Sequence, residues 1–498
     1  MVGQHPYITQ VLILSRIIKL VIMAISIHNQ KFSKQTLSVL ITVFLACFID
    51  GFDGSILNTA LPFIAQAFDA DVGTVSWLSL AYLLTVAGTI LIFGKFASYG
   101  FLKKLFVSGS VLFVIGLLIC LAAFSFPMLI AGRVVQGAGA AMLLSCASVI
   151  CVRCLPEEGR GLGFGIVTVG TFIGIALGPV LGGFLLSSGS LKLIFLANLP
   201  LAILCVISAL LLLPKDIVDK ERKKFDIFGA LLLFASMILG VYVLDTLPKA
   251  SISDFTVLIP ALLFAVCFIL FIAVSLKKKE PFFNLRIFKI KAVTLTLFAS
   301  VILQIVFGGM LYLLPFYITN QFHADSVLCG SLLLIEPAVT AVLGGLFGYL
   351  SDTHGKRIFC ILGSILLIVL YVWFALLNPA WGLIPFICML AFSGVCYSMI
   401  NGPMSGRLVD VTPKSEQETT ATIAVSCMYL SSVLGTAVFS ALFTAFTSTD
   451  GAVVSFGSLS EEVFRSGFAE TMLVGMLCMI LVTFLFFVVK EIRMKKAE

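Results

Sequence analysis

Charge is what this chain has least of. Only 11% of its 498 residues are Asp, Glu, Lys or Arg, while 60% are hydrophobic and the mean hydropathy is +1.15. A soluble domain carries roughly 25% charged residues. Burying so much apolar surface in water would require an implausible core, so the expected solvent is lipid. The net charge of +7 is modest. It fits orientation in a membrane better than attraction to nucleic acid, and no nucleic-acid partner is expected. Histidine is scarce as well: His5, His28, His323 and His354 are scattered, which argues against a catalytic cluster and hence against an enzyme. No G-x-x-x-x-G-K-[ST] loop occurs, so ATP is not the expected energy source. The 13 cysteines suggest neither a disulfide framework nor a metal site, because the Cys151–Cys154 spacing has no companion His or second pair. The loops are too short for a sensor's soluble output domain, and no cofactor is expected.

Long apolar runs fill the space that charge leaves. A spanning helix needs about 20 mostly apolar residues, and about fourteen segments qualify. They run roughly over 37–57, 76–96, 104–124, 127–150, 163–187, 192–213, 226–246, 255–276, 292–316, 328–350, 357–377, 382–404, 420–446 and 467–489. With both termini in the cytoplasm, only Lys192, Lys249 and Arg465 fall at the outer side, and Arg133 falls inside a span. The other 28 of the 32 basic residues then lie inside, as the positive-inside rule requires. An odd miscount would scramble that pattern. A multi-pass protein of the cell's inner (plasma) membrane follows, with the lipid bilayer as its surroundings and a monomer sufficient.

The basic stretch 214–225 divides the chain. Gly94-Lys95-Phe96-Ala97-Ser98 with Lys103-Lys104 before it is repeated after it by Gly348-Tyr349-Leu350-Ser351-Asp352 with Gly355-Lys356-Arg357. Each copy joins the second and third spans of a six-helix unit if spans seven and eight are an insertion. The expected fold is all-α and integral to the membrane, with two six-helix bundles plus two inserted helices, a transporter plan. The corresponding segments are an extension or surface helix over 1–36, a first bundle over 37–213, the basic loop, inserted pair and following loop over 214–291, a second bundle over 292–489 and a cytoplasmic tail over 490–498.

Polar residues inside spans are the candidates for chemistry, because an ionisable group in a membrane is costly. Asp53 is the first. Its carboxylate is suited to bind and release a proton, or else only ties helices together. Asp50 lies three residues earlier, either as a second proton carrier or simply wet near the cytoplasmic side. Arg133 keeps its proton and needs an acceptor, for which Asp53 or a backbone carbonyl of the first helix is the natural choice. It either passes protonation into helix motion or is a fixed clamp. Glu336, followed by Pro337, is a candidate for cargo or a second proton, or faces a wet vestibule. Tyr82, Gln304 and Tyr312, with Trp77, Phe307, Phe316 and Tyr317, are candidates to line a cavity for flat lipophilic cations, although aromatic residues in spans commonly face lipid. Asp245 is expected to be solvated and Asp226 to cap a helix. Gly170, Gly174, Gly178 and Gly182 recur at every fourth position, leaving one helix face nearly bare so that a neighbour can approach closely. Pro179 removes a backbone donor, so the helix can bend there, unless the crossing is static.

Taken in order, these segments resemble the Major Facilitator Superfamily, specifically its fourteen-spanner drug:proton antiporters. Asp53–Pro62 resembles the family's first-helix motif, and Trp77 and Tyr82 stand where its second helix begins. Leu129–Ala140, with Arg133, Gln136, Gly137 and Gly139, resembles its fourth-helix motif. Gly174–Gly183, including Gly178, Pro179 and Gly182, matches the fifth-helix motif of its exporters. Phe195, Asn198 and Pro200 resemble the start of its sixth helix. Gly348, Asp352, Gly355, Lys356 and Arg357 match its loop motif. Two departures stand out: Ser98 occupies the usual Asp position of the first loop and Phe101 the usual Gly, and Glu336 lies in a stretch that is usually apolar. The resemblance implies proton-coupled export of small amphipathic or cationic compounds by alternating access. The alternative is an exporter of one metabolite or peptide-like product.

Overall fold

The computed structural model describes residues 34–153, 160–216, 226–247, 254–278, 285–412, 417–448 and 455–488. The expected surface helix over 1–36 lies almost wholly outside them, as does the tail after 488. Among the described residues all regular structure is helical: α1 Lys34–Ala67, α2 Val72–Ser98, α3 Leu102–Ala122, α4 Phe126–Arg153, α5 Arg160–Leu186, α6 Lys192–Leu212, α7 Ile227–Thr246, α8 Phe255–Lys277, α9 Lys291–Gln321, α10 Ser326–Leu333, α11 Ile335–His354, α12 Lys356–Ala375, α13 Leu383–Asp410, α14 Gln417–Thr447 and α15 Glu461–Val488. Fourteen stretches are long and apolar enough to cross a membrane, with α10 and α11 together making the tenth.

Two departures from the expected spans have physical causes. α1 continues ten residues past the expected end at 57, straight through Pro62. Proline is tolerated inside membrane helices because neighbouring groups re-satisfy the freed carbonyl. The tenth span is broken at Leu334. Pro337 falls in the first turn of α11, where its missing N–H costs nothing, but it cannot donate back to Leu333 and so ends the preceding helix.

α1 packs on α5 and α6, α2 on α4, and α3 on α4 and α6, which makes the first bundle. The second repeats the arrangement: α9 packs on α14 and α15, α11 on α13, and α12 on α13 and α15. The hairpin of α7 and α8 lies outside both. The repeated basic loops reach equivalent places. Lys103 Nζ donates to the carbonyls of Leu210 and Leu213 at the end of α6, 2.7 and 2.9 Å away. Arg357 donates to Phe486 O and Phe487 O at the end of α15, 3.2 and 2.6 Å away. Each cation thus satisfies the orphan carbonyls at the C-terminus of its bundle's last helix and complements the dipole there.

The glycine stripe of α5 lies against α1. A Cβ at Gly174 would sit 2.7 Å from Phe52 N, one at Gly178 2.7 Å from Ile56 N, and one at Gly182 2.9 Å from Ile56 Cγ1. Ser55 donates to Gly174 O across the crossing, 3.2 Å away. Backbones this close leave no room for a methyl, so Gly178→Ala is expected to cost about 1–3 kcal/mol through overpacking. Thermal unfolding in detergent would register this as a lowered midpoint; an unchanged midpoint would mean the crossing yields freely.

Candidate functional site

The connectivity puts the turns at 68–71, 187–191 and 322–325 at one end of the helices and those at 99–101 and 355 at the other. At the 68–71 end the bundles touch. A Cβ at Gly330 of α10 would sit 2.8 Å from Pro179 C, and one at Gly183 3.0 Å from Ser326 C. Tyr312 donates to Val72 O, 2.5 Å away, and Phe456 N donates to Ala70 O, 3.4 Å away. At the opposite end, a methyl added to Gly94, Gly344 or Gly348 would meet nothing within 4 Å. Gly355, the turn residue joining α11 to α12, has φ +102°, a conformation that favours glycine. The same α5 motif therefore has two faces: Gly174, Gly178 and Gly182 grip α1, while Pro179 and Gly183 meet the other bundle.

Midway along α1, Asp53 is buried in a network of four side chains. Arg133 Nη1 donates to Asp53 Oδ2 at 2.6 Å, and both side chains are at most 2% exposed. Gln136 and Asn198 donate to Asp53 Oδ1 at 2.7 and 3.2 Å. Arg133 also donates to Gln136 Oε1 at 2.7 Å and, through Nε, to Leu78 O at 3.2 Å. Of the two acceptors expected for Arg133, Asp53 is the one found; the backbone carbonyl it also reaches belongs to α2, not to the first helix. Its guanidinium lies 4.3 Å from the centre of the Tyr82 ring, a cation–π contact. Close approach of α2 to α4 is permitted by Gly137, where a Cβ would sit 2.7 Å from Tyr82 O.

Asp50 has different neighbours from Asp53. Tyr82 donates to its Oδ1 at 2.7 Å, and Tyr429 of α14 donates to its Oδ2 at 3.2 Å. One carboxylate therefore accepts a hydroxyl from each bundle. Asp50, Gly54 and Asn58 follow at i, i+4 and i+8 on one face of α1. All three are half-exposed, and Gly54 has no neighbour within 4 Å of a would-be Cβ.

The second bundle has no matching ion pair among the described hydrogen bonds of its centre. There Tyr397 donates to Gln304 Oε1 at 2.9 Å, with Asn401 3.5 Å from the Gln304 amide. Phe307 stacks on Tyr397 with ring centres 3.7 Å apart. Glu336 is buried in the first turn of α11, where the helix dipole favours a carboxylate, and accepts from Thr340 at 2.8 Å.

The structure brings Asp53, Arg133, Gln136, Asp50 and Tyr82 together and leaves Glu336 and Gln304 in the other bundle. Tyr312 lies at the closed end. Tyr317, expected as a cavity candidate, is packed among Phe386, Phe464 and Phe468 in the second bundle's core. Asp245 is not merely solvated, since Trp77 Nε1 donates to it at 3.1 Å. Asp226 caps α7 as expected, accepting from Gly229 N at 2.8 Å. The side chains of Ser98 and Asp352 lie outside the described residues, and so does any pairing by the loop motif's carboxylate. Sequence reading missed Asn198, Tyr397, Asn401 and Tyr429 as site residues. The two asparagines carried a signal, being amides in apolar spans; the tyrosines carried none beyond composition.

The comparisons agree with this architecture. The profile of the Major Facilitator Superfamily matches residues 43–436. The riboflavin transporter RibZ of Clostridioides difficile is 29% identical over 410 residues, covering 82% of this chain and 89% of that protein. The lincomycin resistance protein LmrB of Listeria monocytogenes is 26% identical over 408 residues, covering 82% and 86%. Among solved structures, a bacterial homologue of the human lysosomal transporter Spinster, inward-facing and unoccupied, superposes with a TM-score of 0.66 at 14% identity, covering 92% and 97%. The chain belongs to the Major Facilitator Superfamily.

Proposed function

We propose that this transporter is a proton-coupled exporter of small amphipathic or cationic compounds, of the multidrug efflux kind, working by alternating access between the two bundles. The observation that carries the reading is the placement of Asp50. A carboxylate that accepts Tyr82 from one bundle and Tyr429 from the other loses acceptor strength when it takes up a proton or pairs with a cation, and the link between bundles weakens with it. Asp53, held by Arg133, Gln136 and Asn198 one turn away, shares the same helix and is the second proton-coupling group. Glu336 supplies the second bundle with a carboxylate for cargo, and Gln304, paired with Tyr397, supplies the same bundle with an amide.

Orientation follows from charge. Lys103, Lys104, Lys277, Lys278, Lys291, Lys356 and Arg357 sit at the 99–101 end, whereas Lys192 and Arg465 sit at the other. The 99–101 end is therefore cytoplasmic, both termini are cytoplasmic, and the conformation is closed outside. The segment boundaries at 213, 291 and 489 divide the chain into the two bundles and the insertion between them.

Everted membrane vesicles energised by respiration test the export reading. A lipophilic cation such as tetraphenylphosphonium is expected to accumulate in them, to leave when nigericin collapses the pH gradient, and to accumulate at least tenfold more slowly with Asp50→Asn. Tyr429→Phe is expected to retain transport but to shift the balance of conformations. Accumulation that survives collapse of both the pH gradient and the membrane potential would sink the proton-coupled reading. The narrower alternative, export of a single metabolite, is favoured by the similarity to a riboflavin transporter. It wins if vesicles move one such compound and no lipophilic cation.

A further inference from the structure

The role of the inserted hairpin can be read from what holds it. α7 lies over the seam where α2 of the first bundle meets α14 of the second. Leu80, Leu84 and Ala87 of α2, Met237 and Val241 of α7, and Val433 and Ala437 of α14 form one buried apolar cluster, with Tyr429 packed against it. α8 covers only the outer side of α7, with 11% of its membrane window buried. The hairpin is a unit of its own: Lys278 pairs with Asp226 at its base, and the Phe264 ring fills the space beside Gly240.

The two contacts of α7 differ in kind. Toward α2 they interlock. Trp77 Nε1 donates to Asp245 at 3.1 Å, and the Phe234 ring occupies the place where a Cβ of Gly88 would stand, so that Phe234 Cγ would be 2.8 Å from it. A hydrogen bond to a carboxylate and a ring set into a glycine notch both resist sliding. Toward α14 the shared cluster is apolar side-chain packing alone, Val433 and Ala437 with Leu430 and the Tyr429 ring beside them. Such a surface can shift by an ångström or two without unpairing a polar group.

We propose that the α7–α8 hairpin is a strap fixed to the first bundle that slides over α14 of the second, keeping the α2–α14 seam covered as the bundles rock. The proposal rests on the alternating-access reading but not on protons or on any cargo. It also gives Tyr429 a greasy bed beside the carboxylate it serves, so the strap supports the Asp50 link from the lipid side.

Distances between spin labels test it. Because the chain has 13 cysteines, the labels are best carried by unnatural side chains. Exposed sites at the 68–71 end are available in the first bundle (Ser188), the hairpin (Leu247) and the second bundle (Glu462). The full chain in nanodiscs is compared with Gly330→Leu, which wedges the closed end apart without involving cargo or pH. The expected result is an unchanged 188–247 distance, while 247–462 and 188–462 lengthen together. If 188–247 changes while 247–462 stays fixed, the strap belongs to the second bundle and the proposal is overturned, with alternating access intact. A change in both 188–247 and 247–462 overturns it too, since the hairpin would then be loose from both bundles. If none of the three changes, the bundles do not rock and both readings fall together.

Discussion

Asp53→Ala is expected to abolish transport and to lower stability by about 3–5 kcal/mol, because it leaves the Arg133 charge buried without its carboxylate. Arg133 is 1% exposed and cannot deprotonate, so it has no cheap escape. Gln136 Oε1 and Leu78 O still accept from it, but neither cancels its charge. The informative companion is the double variant Asp53→Ala with Arg133→Met. Removing both charges of a buried pair is often near neutral for stability. The double variant should therefore recover part of the unfolding midpoint, short of wild type because the buried Gln136 and Asn198 amides lose the Asp53 acceptor, while remaining inactive. Thermal unfolding followed by tryptophan fluorescence, together with vesicle transport, separates the two roles. If the double variant recovers transport as well, the pair is a clamp and the coupling chemistry lies elsewhere, with Asp50 or Glu336.

Gly330→Leu is expected to have the second large effect, on conformation rather than on folding. The backbone of Pro179 lies where the new side chain would start, and Gly183 Cα is 3.3 Å from the same point. A leucine there cannot be accommodated while the end stays shut. α10 meets Pro179 and Gly183 of the first bundle at that point, so the strain is relieved by parting the two bundles at this end instead of by unfolding either one. Protease or thiol-reagent access from the 68–71 end should rise several-fold, and transport should fall to background. An unchanged access pattern would mean that the closed end is not a moving gate. Gly344→Leu is the control: it sits where a Cβ meets nothing within 4 Å and should be tolerated.

The sequence made the Asp53–Arg133 pair legible for a simple reason. Opposite charges in apolar spans have nowhere else to go. The glycines at every fourth position foretold a close crossing, but not that α1 would supply the partner through Phe48, Phe52 and Ile56. Hydropathy placed fourteen spans because lipid imposes one length on all of them. It missed the continuation of α1 through Pro62 and the break at Leu334, where one proline lies within a continuous helix and the other in the first turn of a new one. Asp50 shows the limit more sharply. Its partner Tyr429 is 379 residues away, and nothing in local pattern links a lone tyrosine of α14 to a carboxylate of α1. The reading of Asp245 was incomplete for the same reason: it is part-exposed at the outer end of its span as expected, but the indole that binds it belongs to α2, and the insertion's docking place is a tertiary fact.

The most direct test of the central claim uses purified protein in liposomes holding a trapped pH dye, under an imposed proton gradient. Lipophilic cations are added one at a time to wild type, Asp53→Asn and Asp50→Asn. A cation is expected to trigger proton flux in wild type, and both variants are expected to lose it. Flux that persists undiminished in both variants, or cation movement in wild type with no proton movement at all, would contradict the claim.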